Sequence, residues 1–68
     1  MTRYVRITIR YLEPERVEVF KQKNMGDFFL LRYDGPMAVV TDKYGSEKHI
    51  PTCLVGNIEA EPEPRASW

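Results

Sequence analysis

The stretch Tyr4-Val5-Arg6-Ile7-Thr8-Ile9-Arg10-Tyr11 decides the fold class of this chain. Its odd positions carry Val, Ile, Ile and Tyr, whereas its even positions from the sixth residue onward carry Arg, Thr and Arg. Strict alternation of apolar and polar residues, with β-branched and aromatic side chains, is typical of a strand with one buried face. The stretch therefore predicts a half-buried β-strand near the start of the chain.

Further short strands are predicted downstream, because apolar runs alternate with turn-forming Pro, Gly, Asn and Asp along the remaining sequence. The segment 15–20 is compatible either with a strand or with about one and a half turns of helix, and both assignments stay open. The predicted elements are strands over residues 17–21, 28–33, 37–41, 46–50 and 58–61, with one short 3-10 turn within residues 52–55.

These elements predict an all-β fold, namely a small, strongly bent antiparallel barrel of five to six strands with one short 3-10 turn before the last strand. A chain of 68 residues has room for a single domain. We assign residues 1–61 to this barrel. We expect residues 62–68, which include two prolines, to form a flexible C-terminal tail.

The motif His49-Ile50-Pro51-Thr52-Cys53-Leu54-Val55 resembles the end of a Src-homology-3-type barrel, in which an Ile-Pro pair opens a short 3-10 turn before the closing strand. Elsewhere the resemblance extends only to the number and spacing of strands. Peptide-binding members of that family carry an aromatic cluster early in the chain and a tryptophan after the second loop. Here the only tryptophan is Trp68, in the tail. This departure argues against a polyproline-binding groove.

Composition narrows the functional class. Ten Lys and Arg residues balance ten Asp and Glu residues, so the formal net charge is zero, and 43% of the residues are hydrophobic. This profile is typical of a soluble globular domain. The single cysteine excludes an intramolecular disulfide, and the sequence contains no apolar run of about 18 residues that could form a transmembrane helix. The lone cysteine and the absence of an export signal predict a cytoplasmic protein that does not contact a membrane.

The sequence offers no constellation of residues typical of an enzyme. Cys53 and His49 are the only cysteine and the only histidine, Pro51 lies between them, and no third group is evident to orient them. One Cys and one His do not complete a metal site, and the four glycines stand alone rather than forming a phosphate-binding loop. We expect no catalytic residues, no metal and no cofactor. We expect Cys53 to be a small core residue of the 3-10 turn.

Two predicted strands are apolar on both faces, which is more than one barrel interior requires. In either orientation of residues 28–31, one Phe and one Leu point away from the core, and the neighbouring segment 37–40 adds a further apolar pair. Such a patch is typical of an interface. We expect a protein partner or a second copy to cover it, although the tail with Trp68 could fold over it instead. The predicted interface comprises Phe28, Phe29, Leu30, Leu31, Met37 and Val39.

The polar face of the first strand predicts a second function. Arginines that bind phosphates beside an aromatic ring that stacks on a base form a surface for single-stranded nucleic acid or RNA. The alternative is a solvated face on which an arginine pairs with Glu18. The charge is uneven, with a net of +3 over residues 1–33 and −3 over residues 34–68. The candidate nucleic-acid face comprises Tyr4, Arg6, Thr8 and Arg10.

The sequence as a whole predicts a non-enzymatic binding module that regulates or inhibits a protein partner, with homodimerisation as a second use of the same patch. Nucleic-acid binding through the arginine face is the alternative. A third interpretation is an inhibitor of the kind that phages and other mobile elements encode against host enzymes. We expect the acidic stretch 59–63 to be a solubilising end of the chain.

Overall fold

The computed structural model describes residues 2–64, which form six strands. A 3-10 turn, Thr52–Leu54, precedes the last strand, and the described residues contain no α-helix. The predicted all-β class is confirmed. In chain order the strands are β1 (Tyr4–Tyr11), β2 (Arg16–Lys21), β3 (Phe29–Asp34), β4 (Met37–Asp42), β5 (Glu47–Pro51) and β6 (Val55–Pro62).

The central strand is β1, because it has a neighbour along both edges. Its residues 6–11 pair with β2, and its residues 4–11 pair with β6, both in antiparallel orientation. A single bridge between Tyr4 and Phe29 joins β1 to β3, and β4 and β5 follow as antiparallel neighbours. The strand order is β2-β1-β3-β4-β5, with β6 beside β1. The sheet curls into a half-barrel.

Two tight turns set the register of the β3–β4–β5 meander. Gly35 and Gly45 take φ angles of 58° and 90°, a region in which a Cβ atom is unfavourable and glycine is preferred. Asp42 secures the second turn, since its Oδ1 accepts hydrogen bonds from the backbone amides of Tyr44 at 2.9 Å and Ser46 at 3.0 Å. The chain therefore reverses at defined positions, and each strand presents a defined face to the core.

The hydrophobic core lies on the concave face of the curled sheet. Alternation along β1 turns every second side chain inward, and β4 and β5 contribute one residue each to the same cluster. Fully burying a large aliphatic side chain contributes roughly 1.5–3 kcal/mol to folding, so the apolar face of β1 anchors the fold. The buried cluster consists of Ile7, Ile9, Tyr11, Val40 and Ile50.

The observed bounds of β2, β3, β4 and β5 differ from the predicted ones by one residue, and two further outcomes concern β2 and β6. β2 is a strand throughout its pairing with β1, which excludes the helical alternative for residues 15–20. β6 begins at Val55 rather than Ile58, because a register shift beside Tyr11 brings Val55 into pairing with β1. Pro62 belongs to β6, and the amide of Glu63 donates to the carbonyl of Arg3 at 2.8 Å. The remainder of the predicted tail, residues 65–68, lies outside the described residues.

Candidate functional site

The arginines of the predicted nucleic-acid face lie on the outer surface of β1, where they meet carboxylates of β6. The Nε atom of Arg10 lies 3.6 Å from Oε1 of Glu59, and Arg6 faces Glu61 in the register. Glu18, the partner considered from the sequence, pairs with Ile9 and therefore lies on the opposite, concave face. The acidic stretch of β6 thus offsets the positive charge that an anionic ligand would need.

A β-bulge separates Tyr4 from this strip. The register between β1 and β6 shifts between Tyr4 and Arg6, which changes the alternation of side chains at that point. Tyr4 is half-buried and packs against the core cluster. The structure therefore keeps Arg6, Thr8 and Arg10 on one face but places the aromatic ring, on which a base would stack, on the other.

The predicted protein interface is divided between the two faces of the sheet. Phe29 and Leu31 pack against the core cluster on the concave face. Strand alternation and the β3–β4 register place three residues on the outer face: Leu30, Met37 and Val39. The six predicted residues therefore do not form one continuous surface.

The chain's own polar side chains cover the outer-face part of this set. Val39 is fully buried and lies between Arg32 of β3 and His49 of β5 in the register. Glu47 contacts both neighbours, with one oxygen 3.1 Å from Nη2 of Arg32 and the other 3.1 Å from Nε2 of His49. Leu30 is half-buried beside them. An exposed apolar patch of the predicted extent therefore does not form on this face.

The open side of the half-barrel carries a groove of about 450 Å³. It runs between β2 and the β4–β5 turn, and four aromatic side chains line it: Phe20, Phe28, Phe29 and Tyr44. The rings of Phe20 and Phe29 meet edge to face, with their centroids 6.0 Å apart. These two rings also line a smaller adjoining cavity of about 140 Å³. Two of the residues predicted for an interface, Phe28 and Phe29, therefore belong to this groove.

Three lysines and two aspartates also line the groove: Lys21, Lys23, Lys43, Asp27 and Asp42. Both carboxylates are held by the chain itself. Asp42 accepts hydrogen bonds from the amides of its own turn. Oδ1 of Asp27 lies 2.8 Å from Nζ of Lys43, and Oδ2 of Asp27 accepts hydrogen bonds from the backbone amides of Lys23 and Asn24. The ion pair with Lys43, followed by the amide of Asn24, holds the pKa of Asp27 below its usual value.

The ammonium groups of Lys21 and Lys23 have no carboxylate within ion-pair distance in residues 2–64. Arg3 lies near the same region, with its guanidinium carbon 4.3 Å from the ring centroid of Phe28. The groove therefore combines an apolar floor with two cations at its β2 rim. Lys21 pairs with Arg6 and so turns its side chain to the outer face, and Lys23 follows the end of β2.

A polar tie joins β2 to β5 beyond the groove. The hydroxyl of Tyr11 donates to Oε1 of Glu18 at 2.7 Å, and Nζ of Lys48 contacts Oε2 of the same carboxylate. Burial raises the pKa of Glu18, but hydrogen bonds from Lys48 and Tyr11 outweigh it and hold the pKa below the usual value. Burial, together with the bond to Glu18, raises the pKa of Tyr11. This Tyr11–Glu18–Lys48 tie marks one end of the open side.

Cys53 lies exposed in the 3-10 turn, so the prediction that it is a core residue is wrong. The turn is a surface connection in which no residue is buried. Residues 2–64 contain no group of three or more His, Cys, Asp or Glu side chains arranged to hold a metal ion. The described part of the chain also has no helix whose length and apolar character would let it cross a lipid bilayer.

Sequence reasoning missed Phe20, Tyr44 and the groove lysines. Phe20 fell within a predicted strand and Tyr44 within a predicted hairpin loop, and neither suggested a site by itself. The available signal was an aromatic residue beside a lysine at the tip of a turn. The curl of the sheet brings that turn against β2, and no local pattern reveals this contact.

Comparison of the chain with protein-family models, with curated proteins and with solved structures finds no match. The chemistry of the groove and of the sheet edges therefore carries the functional conclusion.

Proposed function

We propose that this chain is a non-enzymatic binding module that receives a protein partner in the groove on its open side. The observation that carries this proposal is a mostly apolar groove of about 450 Å³ with Phe20, Phe28 and Phe29 in its lining. Concave surfaces with apolar walls and a few polar groups are the usual sites of ligand and partner binding.

The rims of the groove favour a macromolecular partner. The ring of Tyr44 is 80% exposed at the tip of the β4–β5 turn, and Val19 is 48% exposed on β2 across the groove. Tyrosine is enriched at protein interfaces, because it combines a large apolar ring with a hydroxyl that can form a hydrogen bond. A partner in the groove would cover both rims at once.

We extend the proposal to the class of the barrel and the role of the module. The 3-10 turn before β6 and the curled antiparallel sheet support a Src-homology-3-like barrel. A module of this kind acts by occupying a surface of its partner, as a regulator or an inhibitor, including inhibitors of the phage-encoded type. The unpaired Cys53 favours a reducing compartment, so the cytoplasm is the proposed location.

Single-stranded nucleic acid is the second candidate, and the same groove supports it better than the arginine strip does. Lys21, Lys23 and Lys43 line the groove beside Phe28 and Tyr44. Lysines that bind phosphates and rings that stack on bases are the two parts of a single-strand binding surface. The mostly apolar lining and the net charge of zero favour a protein partner instead.

Affinity capture from the native host lysate, with and without nuclease, tests the proposed function. Tyr44→Ser and Tyr33→Ser form a matched pair, because both tyrosines are exposed but only Tyr44 lines the groove. We expect the wild-type chain and Tyr33→Ser to retain a protein that survives nuclease. We expect Tyr44→Ser to retain at least about fivefold less of it, as replacement of an interface tyrosine does.

Equal capture by Tyr44→Ser and wild type would contradict a role for the groove. Loss of the captured protein on nuclease treatment would favour the nucleic-acid candidate. Measurement of the mass of the purified chain in solution identifies a second copy as the occupant, if its mass doubles in the wild type and not in Tyr44→Ser.

A further inference from the structure

The free edge of β2 borders the groove. In the described sheet β2 pairs only with β1. The amide of Gln22 donates to the carbonyl of Val5 at 3.2 Å, and backbone hydrogen bonds alternate along an antiparallel strand. Phe20 therefore turns its backbone groups toward β1. The amide and carbonyl groups of Val19 and Lys21 point the other way and stay unpaired.

The accessible part of this edge is short. At one end, the Tyr11–Glu18–Lys48 tie joins β2 to β5. At the other end, the amide of Lys23 already donates to Oδ2 of Asp27 at 3.2 Å. Between these two points, Val19 and Lys21 line the groove with their edge groups free. Unpaired edge groups are a template for the addition of another strand.

Charge distinguishes this edge from the free edges of β5 and β6. β5 and β6 each have a neighbour on one side only. β6 carries Glu59 and Glu61, which would repel an acidic segment, and on β5 the charge of Glu47 offsets that of Lys48. The β2 edge carries Lys21, and Lys23 follows it at the groove. The β2 edge is therefore the one that attracts an acidic strand.

We propose that an extended acidic segment of the protein partner adds to the free edge of β2 at Val19 and Lys21. This inference rests on the proposed function and names the chemistry of its partner. Side chains of an added strand alternate between the two faces of the sheet. One set places an apolar side chain beside Phe20 in the groove, and the other set places carboxylates beside Lys21 and Lys23.

The backbone groups favour a peptide over a nucleic acid at this edge. Donors and acceptors alternate along Val19 and Lys21 with the spacing of an extended chain, and another extended peptide matches both kinds of group. A phosphodiester backbone supplies acceptors but leaves the carbonyls of the edge without donors. The lysines then select acidic peptides among extended ones.

Fluorescence anisotropy with labelled peptides tests this inference on the full chain. The probe is an acetylated peptide of about seven residues, a typical strand length, in which glutamate alternates with valine around a central phenylalanine. Its controls are a lysine-for-glutamate version, two versions that are N-methylated at alternate amides, one along each edge of the peptide, and single-stranded oligothymidylate. We expect the acidic peptide to bind and the lysine version and oligothymidylate not to bind. One of the two N-methylated versions should bind at least about tenfold more weakly and the other should bind unchanged, because an added strand donates to β2 from one edge only.

Proline variants locate the site. Val19→Pro removes an amide on the β2 edge, and His49→Pro removes one on the β5 edge. Proline is tolerated at strand edges where the missing amide faces solvent. We expect Val19→Pro to weaken the acidic peptide at least about tenfold and His49→Pro to leave its affinity unchanged. If Val19→Pro does not fold, the N-methylated peptides decide the same question.

Charge reversal completes the test. Lys21→Glu with Lys23→Glu is expected to abolish peptide binding, whereas Arg10→Glu with Arg32→Glu, an equal change in charge away from the β2 edge at Lys21, is expected to preserve it. Binding that survives Val19→Pro and N-methylation along both edges, or binding of oligothymidylate in place of the peptide, would overturn strand addition. If Tyr44→Ser abolishes capture of the native partner but the acidic peptide does not bind, the inference fails while the proposed function stands.

Discussion

Glu18 shows how one side chain shapes the open side of the half-barrel. Alternation along β2 places it on the concave face, one position from each of two outward-facing valines, Val17 and Val19. A carboxylate in such a place requires partners to replace its hydration. Tyr11 and Lys48 supply them, and Lys48 belongs to a different edge of the sheet. One side chain therefore links β2 to β5 across the open side.

Replacement of Glu18 by Gln is expected to lower the free energy of unfolding at neutral pH by about 1–2 kcal/mol. This is near the lower end of the roughly 1.5–3 kcal/mol contributed by hydrogen bonds to charged groups, because the side chain of Lys48 is half-exposed. Because the folded-state pKa of Glu18 is lowered, its stabilisation is complete above the unfolded pKa of about 4.3 and disappears as the pH falls through the folded value. The variant should therefore lose less stability than wild type in acid. Urea unfolding at neutral and acidic pH measures both effects.

Glu59→Gln is the matched control. Glu59 forms an exposed pair with Arg10, in which both side chains are more than half accessible to solvent. Such pairs contribute little, so the change in unfolding free energy is expected to stay within about 0.5 kcal/mol. Parallel pH profiles for wild type and Glu18→Gln would contradict a stabilising role for the tie.

At the scale of strands, β3 carries apolar side chains on both faces, and its register with β4 decides which face is the core. Leu31 pairs with Val40 and packs against the buried cluster. Leu30 pairs with Thr41 on the outer face, near the ion pair of Arg32 with Glu47. Leu31 therefore contributes to the core and Leu30 to the outer face, although both lie in the same apolar run of the sequence.

Leu31→Ser is expected to cost about 2–4 kcal/mol of unfolding free energy, as large-to-small changes in a core do. Leu30→Ser is expected to cost about 1 kcal/mol or less, since the outer face is covered by polar side chains that can accommodate a hydroxyl. Thermal unfolding of the two variants side by side measures the difference. Equal costs would show that the outer face of β3 contributes as much to stability as the core face.

At the scale of the whole molecule, the half-barrel leaves three strand edges without a neighbour in the described residues: those of β2, β5 and β6. Glu59 and Glu61 lie along β6, and Glu47 and Lys48 lie on β5, and charged side chains at strand edges discourage pairing between copies of a chain. The edge of β2 has basic residues, two half-exposed valines and the groove beside it. The free edges of the sheet therefore differ in charge, and the edge of β2 is the one on which we expect a partner to bind.

Amide hydrogen exchange is expected to show this asymmetry residue by residue. The amide of Phe20 is bonded to β1 and should exchange at least about tenfold more slowly than those of Val19 and Lys21 on the free edge. The acidic peptide described above should slow Val19 and Lys21 without changing His49 on β5. Equal exchange at Phe20 and Val19 would contradict the hydrogen-bonding alternation that leaves the β2 edge open.

The sequence by itself determined the elements and the class of the fold. The alternation in β1 and the glycines at Gly35 and Gly45 are local signals, because side-chain periodicity and positive φ depend on neighbouring residues alone. They predicted strands and turns close to their observed positions. The double-sided apolar character of β3 and β4 also predicted that both faces of this hairpin would be covered. The expected cover was a partner protein or a second copy, whereas Val39 on the outer face is buried between Arg32 and His49 of the same chain.

Only the tertiary structure decided which surfaces are available. The pairing of β1 with β6 joins Arg10 to Glu59, which are far apart in sequence, and so offsets the charge of the arginine strip. The bulge beside Tyr4 depends on the same pairing. The groove forms because the sheet curls and brings the β4–β5 turn to β2. Register and curl follow from contacts between distant segments, which no local pattern contains, so the groove and the β2 edge emerge only when the strands are assembled.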